Sequence, residues 1–176
     1  MRELVSVLTP TIRERRQMLE ECELTVKFQT YQEVEHVIRA DEHHDGCSVT
    51  INRCFAASKG DWVLPLADDD LLLPGGISAL LHESEHADVV YAPPLVTGNE
   101  DRWWFFQEPP AIPSTALIRR SLWAELGGYD ESLNHEEDRD MWTKALEQGA
   151  RFARVDEPVW IYRQHAQNKS FNKATV

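Results

Sequence analysis

Three aspartates stand side by side at positions 68, 69 and 70, within the stretch GDWVLPLADDDLLLPGG. Adjacent like charges repel, and partial burial makes each one costlier to ionise. Two arrangements relieve this. In a solvated turn the carboxylates accept hydrogen bonds from the amides that open a helix. At the end of a buried strand they form a seat of hard oxygen ligands for Mg2+ or Mn2+, with substrate phosphates completing the shell. The triplet directly follows the apolar run Trp62–Ala67, which favours the second arrangement. A second acidic group is Glu136-Glu137-Asp138. Carboxylates in the first turn of a helix stabilise its positive end, and Asn134 and Glu137 have capping-box spacing. Asp138 precedes Met141 and Trp142 by one helical turn, so it leans toward the core-facing side, where partial desolvation would suit it to taking up a proton. A third candidate is Arg163 with His165, in YRQH near the end of the chain.

These residues need elements to position them. LVSVLTPT, residues 4–11, is a β-branched run that ends in a turn signal. RERRQMLEECELTVKFQ has apolar residues at helical spacing, and EVEHVIRAD alternates as a second strand closed by Asp41. SVTINRCFAASKG reads as a small-residue helix with Gly60 as its C-cap, and DWVLPLA as a third strand, although Pro65 there has no amide to give a ladder. PGGISALLHESEH is a helix, ADVVYAPP a fourth strand, and STALIRRSLWAELGG a strand leading into a helix ended by Gly127-Gly128. NHEEDRDMWTKALEQG is a helix stopped by Gly149, and RFARVDEPVWIYRQH supplies one or two closing strands. Alternating strands and helices imply an α/β fold with a mostly parallel central sheet and helices on both faces. Ligands of such sheets sit at the carboxyl ends of the strands. Thr9-Pro10-Thr11, Asp41 and the aspartate triplet occupy three of those ends.

The 176 residues carry a net charge of −12. That field repels phosphate backbones and anionic lipid, so nucleic acid is a disfavoured partner, and an anionic ligand would need a local cation. Cys22, Cys47 and Cys54 form no CxxC pair and cannot all be paired, so reduced thiols are expected rather than a zinc site. No apolar run reaches the roughly 20 residues of a membrane span. The N-terminus passes directly into a strand pattern, which makes the cytoplasm the expected compartment.

VSVLTPT, FQTYQEVEHVIRAD, NRCFAASKGDWVLPLADDDLLLPGG, GGYDESL and EEDRDMWTKALEQGARFARVDEPVWIYRQH resemble, in order, the landmarks of GT-A nucleotide-sugar glycosyltransferases of the family-2 type. The resemblance implies a single GT-A, Rossmann-like domain over residues 1–165 followed by a polar tail, 166–176. It further implies a metal-dependent transferase that uses Mn2+ or Mg2+ to move a sugar from a nucleoside-diphosphate donor, UDP-linked, to an acceptor hydroxyl with inversion. Thr9, Pro10 and Thr11 would meet the nucleotide, Asp41 its base and Asp68 its ribose. Asp69 would be the main metal ligand, with Asp70 beside it. Asp138 would be the general base, while Arg163 and His165 would reach back toward diphosphate or metal. Asn52 matches a nucleotide-contacting asparagine. Two positions depart from the family pattern: Ala67 stands at the first acidic position of Asp-Ala-Asp-Asp, and Ile51 where an arginine is usual.

Other residues leave alternatives open. Arg13 and Arg15 face either phosphate or solvent. The aromatic run Trp103–Phe106 is either core or a platform for a sugar acceptor. The acceptor is expected to be a soluble glycan, a small molecule or a macromolecule. The rival to an enzyme is a non-catalytic module that holds a nucleotide or partner. A nucleotidyltransferase ranks lower, since no glycine-rich, lysine-bearing phosphate loop follows the first strand.

Overall fold

A computed structural model describes residues 2–98, 108–133, 135–166 and 168. Its main sheet has six strands in the order β2-β1-β3-β7-β5-β8. These are β1 (Val5–Thr11), β2 (Val34–Ala40), β3 (Trp62–Pro65), β5 (Val89–Tyr91), β7 (Ala116–Arg119) and β8 (Phe152–Arg154). β7 runs against both of its neighbours, and the other pairings are parallel. The mostly parallel sheet expected from the strand–helix alternation is therefore present.

Helices cover both faces, and strand side chains sort between them with a period of two. Val5, Val7, Trp62, Leu64, Val90 and Leu117 pack with Cys22 and Val26 of α1 (Arg16–Lys27) and with Ile77 and Leu80 of α3 (Gly76–His82). Leu8, Val63, Val89, Tyr91 and Ile118 face the opposite way. They meet Ile51 and Cys54 of α2 (Cys47–Ala57), Trp123 of α4 (Arg120–Leu126), and Met141, Trp142 and Ala145 of α5 (Glu137–Glu147). A sheet buried on both faces explains why these strands read as nearly continuous apolar runs.

Pro65 fits because of where the ladder stops. Leu66 N–H donates to the Leu8 carbonyl on the β1 side, so alternation turns position 65 toward β7, whose pairing ends at Val63. The missing amide therefore costs no ladder bond. Gly60 is not the cap of α2, as the sequence suggested; that place belongs to Ser58. The α5 cap also differs: Glu136, in left-handed backbone, precedes the helix and makes no side-chain capping bond. Asn134 lies outside the described residues, as does the aromatic run 103–106.

A second, three-stranded sheet has the order β4-β9-β6, formed by Leu71–Leu72, Trp160–Arg163 and Pro94–Thr97. Leu71 pairs with Ile161 and Leu72 with Trp160, antiparallel. β4 begins where the aspartate triplet ends, so this pairing fixes which late residues meet it.

Candidate active site

The triplet sits at the carboxyl end of β3 and is almost fully enclosed, with Asp68, Asp69 and Asp70 at 2%, 5% and 4% exposure. A solvated turn is thereby excluded, and each carboxylate needs a partner. Asp68 accepts from the Thr11 hydroxyl at 2.7 Å and from Arg15 Nη1 at 2.9 Å. Asp69 Oδ2 lies 2.9 Å from the same Arg15 Nη1, 3.1 Å from His165 Nε2 and 3.3 Å from Asn168 Nδ2. Asp70 Oδ1 accepts the Arg163 backbone amide at 3.1 Å. Burial, and then the charge of Asp69, push Asp70 well above the usual carboxylate range.

The β4–β9 pairing is what delivers Arg163 and His165 here. The Arg163 guanidinium donates to the Asp69 and Met18 carbonyls and to the Glu21 carboxylate, so it ties α1 to the aspartate loop. Asn168, in the segment expected to be a loose polar tail, is 3% exposed and bridges Asp69 to the Arg163 carbonyl. No signal in the sequence marks it. Arg15 was legible only as one of several arginines after β1.

The other candidates have partners of their own. Pro10 is half-buried at the end of β1. Asp41 accepts the amides of Asp45 and Gly46 at 2.8 and 2.9 Å, one on each oxygen, and so shapes the loop that leads into α2. Asn52 is engaged by the turn between α4 and α5: its amide donates to the Tyr129 carbonyl at 2.9 Å, and Tyr129 N–H donates back to Oδ1 at 3.0 Å. It holds GGYD in place. Asp138 is half-buried in the first turn of α5, where Arg139 N–H donates to its Oδ1 at 2.8 Å. It neighbours the buried Tyr129 hydroxyl, which is pushed up first by burial and then by the charge of Asp138.

Thr9 turns its hydroxyl sideways to His36 Nε2 at 2.8 Å. Burial pushes His36 down to about 4, against an ordinary 6.5 or so. Between those values the folded protein keeps a neutral ring while the unfolded chain is protonated. Stability is therefore present in full above about pH 6.5 and lost as pH falls to about 4, by about 3 kcal/mol at most. Urea unfolding across this range should show a flatter profile for His36→Gln than for the native protein; an unchanged slope would assign the acid sensitivity elsewhere.

As a cation seat, the cluster offers the Asp69 carboxylate, a hard oxygen ligand that suits Mn2+ or Mg2+, with the His165 imidazole beside it. Among the described residues no three His, Cys, Asp or Glu side chains converge on one point. An ion held here would complete its shell with water and ligand oxygens, as Mg2+ commonly does.

The sequence profile of Glycosyl transferase family 2 matches residues 36–131. A comparison with curated proteins finds no match. Among solved structures, S. aureus TarS 1–349 in complex with UDP-GlcNAc is similar with a TM-score of 0.80 and 16% identity, over 98% of this chain and 62% of that one. The same protein in complex with UDP gives 0.76 and 16%, over 92% and 60%. Mannosyltransferase PcManGT from Pyrobaculum calidifontis, in complex with GDP-Man and Mn2+, gives 0.78 and 16%, over 96% and 59%. At such identity the likeness is one of fold, and the chain spans 59–62% of the length of these structures. Among the described residues no helix is long and apolar enough to cross a membrane.

Proposed function

Because this chain belongs to glycosyl transferase family 2, we propose that it moves a sugar from a nucleoside-diphosphate donor, UDP-linked, to an acceptor hydroxyl with inversion at the anomeric carbon. The observation that carries this reading is the enclosed cluster at the end of β3, where Asp69 meets His165, Arg15 and Asn168. Three buried aspartates at a sheet crevice, supplied with partners from the 3-10 turn before α1 and from β9 and the segment after it, form a site organised around charge. UDP and UDP-GlcNAc bound to TarS, and GDP-Man to PcManGT, have the diphosphate in common.

In this reading Thr9, Pro10, Thr11 and Asp41 border the nucleoside and Asp68 its ribose. Asn52 acts through the turn it holds. Asp69 and His165 would hold Mn2+ or Mg2+, with Asp70 behind them, and the ion when bound would offset charge building on the leaving diphosphate. Arg163 secures the wall on the phosphate side. Asp138 takes the proton of the acceptor hydroxyl as the oxygen attacks the anomeric carbon. A bond forms between that oxygen and carbon while the bond from carbon to diphosphate oxygen breaks, with no covalent enzyme intermediate. The acceptor is a glycan, a small molecule or a macromolecule, in a cytoplasmic setting.

Calorimetry with UDP and GDP, each with Mn2+ and with a chelator, tests the donor. UDP with Mn2+ should bind most tightly, and UDP-sugar hydrolysis should accompany it. Preference for GDP would overturn the uridine assignment, and no heat from either would overturn the reading. Ala67, at the usual first acidic position, favours one rival, a non-catalytic nucleotide-binding module. Binding without turnover over a broad acceptor panel would select it.

A further inference from the structure

Arg15 holds the centre of the cluster, and nothing in the reading above gives it a task. It ends the short 3-10 turn Arg13–Arg15 that leads into α1. One of its nitrogens, Nη1, is 2.9 Å from Asp68 Oδ1 and 2.9 Å from Asp69 Oδ2. We infer that Arg15 is the resident cation of this site: it occupies the Asp69 oxygen that a divalent ion would need, and it yields that oxygen when a diphosphate arrives to receive its guanidinium. The inference rests on the metal and donor assignments above and adds an order to them.

Asp69 Oδ2 already takes Arg15, His165 and Asn168. An ion seated on that oxygen therefore competes with these three neighbours. Arg15 is the one whose permanent charge opposes the ion, and like charges a few ångströms apart repel strongly in a partly buried site. Arg15 is also the group the cluster cannot spare. Both carboxylates are over nine-tenths buried, the Arg15 side chain is 17% exposed, and a buried charge stripped of its partner is strongly destabilised.

The guanidinium therefore leaves only for another anion. It borders a cavity of about 260 Å³ that is also lined by Glu14, Gln17, Met18, Glu21 and Arg163. Its planar fork of N–H donors matches phosphate oxygens. A diphosphate beside the cluster would accept Arg15 and free Asp69 for the ion in the same event. Ion and diphosphate then assist each other, by the reciprocity that linked binding requires.

The test measures Mn2+ binding directly, from loss of the free-ion electron paramagnetic resonance signal, with and without UDP. Arg15→Gln removes the competitor, so Mn2+ alone should bind about tenfold more tightly than to the native protein. The extra gain that UDP gives the native protein should shrink by the same factor. Arg15→Lys keeps a positive charge and protects the fold, yet an ammonium is a point charge without the planar fork, so it should show a smaller gain of the same sign. Thermal unfolding checks both variants. Mn2+ affinity equal to or weaker than native in the folded variants overturns the inference. Failure of UDP to bind the native protein overturns the donor reading instead, and the ion-only comparison still judges Arg15.

Discussion

Asp138→Asn should lower sugar transfer by about a thousandfold while leaving UDP affinity within about twofold of native. The asparagine has the same shape, and its carbonyl can still accept the Arg139 amide that now reaches Asp138 Oδ1 at 2.8 Å. What it loses is the capacity to hold the acceptor's proton. The donor cluster is built on β1, β3, β9 and the turn before α1, so the nucleotide should not register the change. Asp140→Asn is the matched control. Asp140 stands in the same turn but pairs with Lys144 at 2.6 Å, a half-exposed i,i+4 pair worth about 0.5 kcal/mol or less, and its variant should transfer at nearly the native rate. Initial rates and calorimetry on the three proteins decide it. Transfer by the Asp138 variant within tenfold of native would remove the base assignment, and an equal loss in both variants would point to the charge of the helix end.

The legible parts of this fold are those with local signals. β1, β2 and β3 carry β-branched or alternating runs closed by turn residues, and their ends place Thr11, Asp41 and the triplet at one edge of the sheet. The second sheet lacked such a signal. Leu71–Leu72 and Pro94–Thr97 are too short to show a period, and they pair with Trp160–Arg163 across 66 to 90 residues of sequence. That pairing is nonetheless what brings Arg163 and His165 to the aspartates. Asn168 was illegible for the same reason, because its burial depends on β9 and not on its polar neighbours. Asn52 shows the opposite limit. Its place in α2 could be read, but its partner, the backbone of Tyr129, lies 77 residues away. Spacing also suggested the Asn134–Glu137 cap, whereas α5 starts after a left-handed Glu136, a backbone state that a spacing rule does not see. For Arg15, composition left phosphate and solvent as the choices; the structure turned it inward, to carboxylates.

The turn that holds Asp138 in position can be tested without touching any ionisable group. Gly127 and Gly128 both have φ of +80°, a region that costs a residue with a Cβ about 1–2 kcal/mol. They differ in their surroundings. A Cβ on Gly127 would meet nothing within 4 Å, whereas one on Gly128 would stand 2.5 Å from Asn52 Oδ1 and 3.3 Å from Trp123 Nε1. That oxygen accepts Tyr129 N–H, and the same amide group donates to the Tyr129 carbonyl. Gly127→Ala should therefore lose only the backbone cost, about 1–2 kcal/mol. Gly128→Ala must also push Asn52 away and leave two backbone groups of a half-buried turn unpaired, for a total of about 3–5 kcal/mol. At this chain length the larger loss corresponds to a fall in Tm of about 10 °C. It should bring reduced transfer as well, because the displaced turn leads into α5. Denaturant unfolding of the two variants measures the difference directly. If Gly128→Ala is no less stable than Gly127→Ala, Asn52 does not clamp this turn, and its side chain becomes available again as a nucleotide contact.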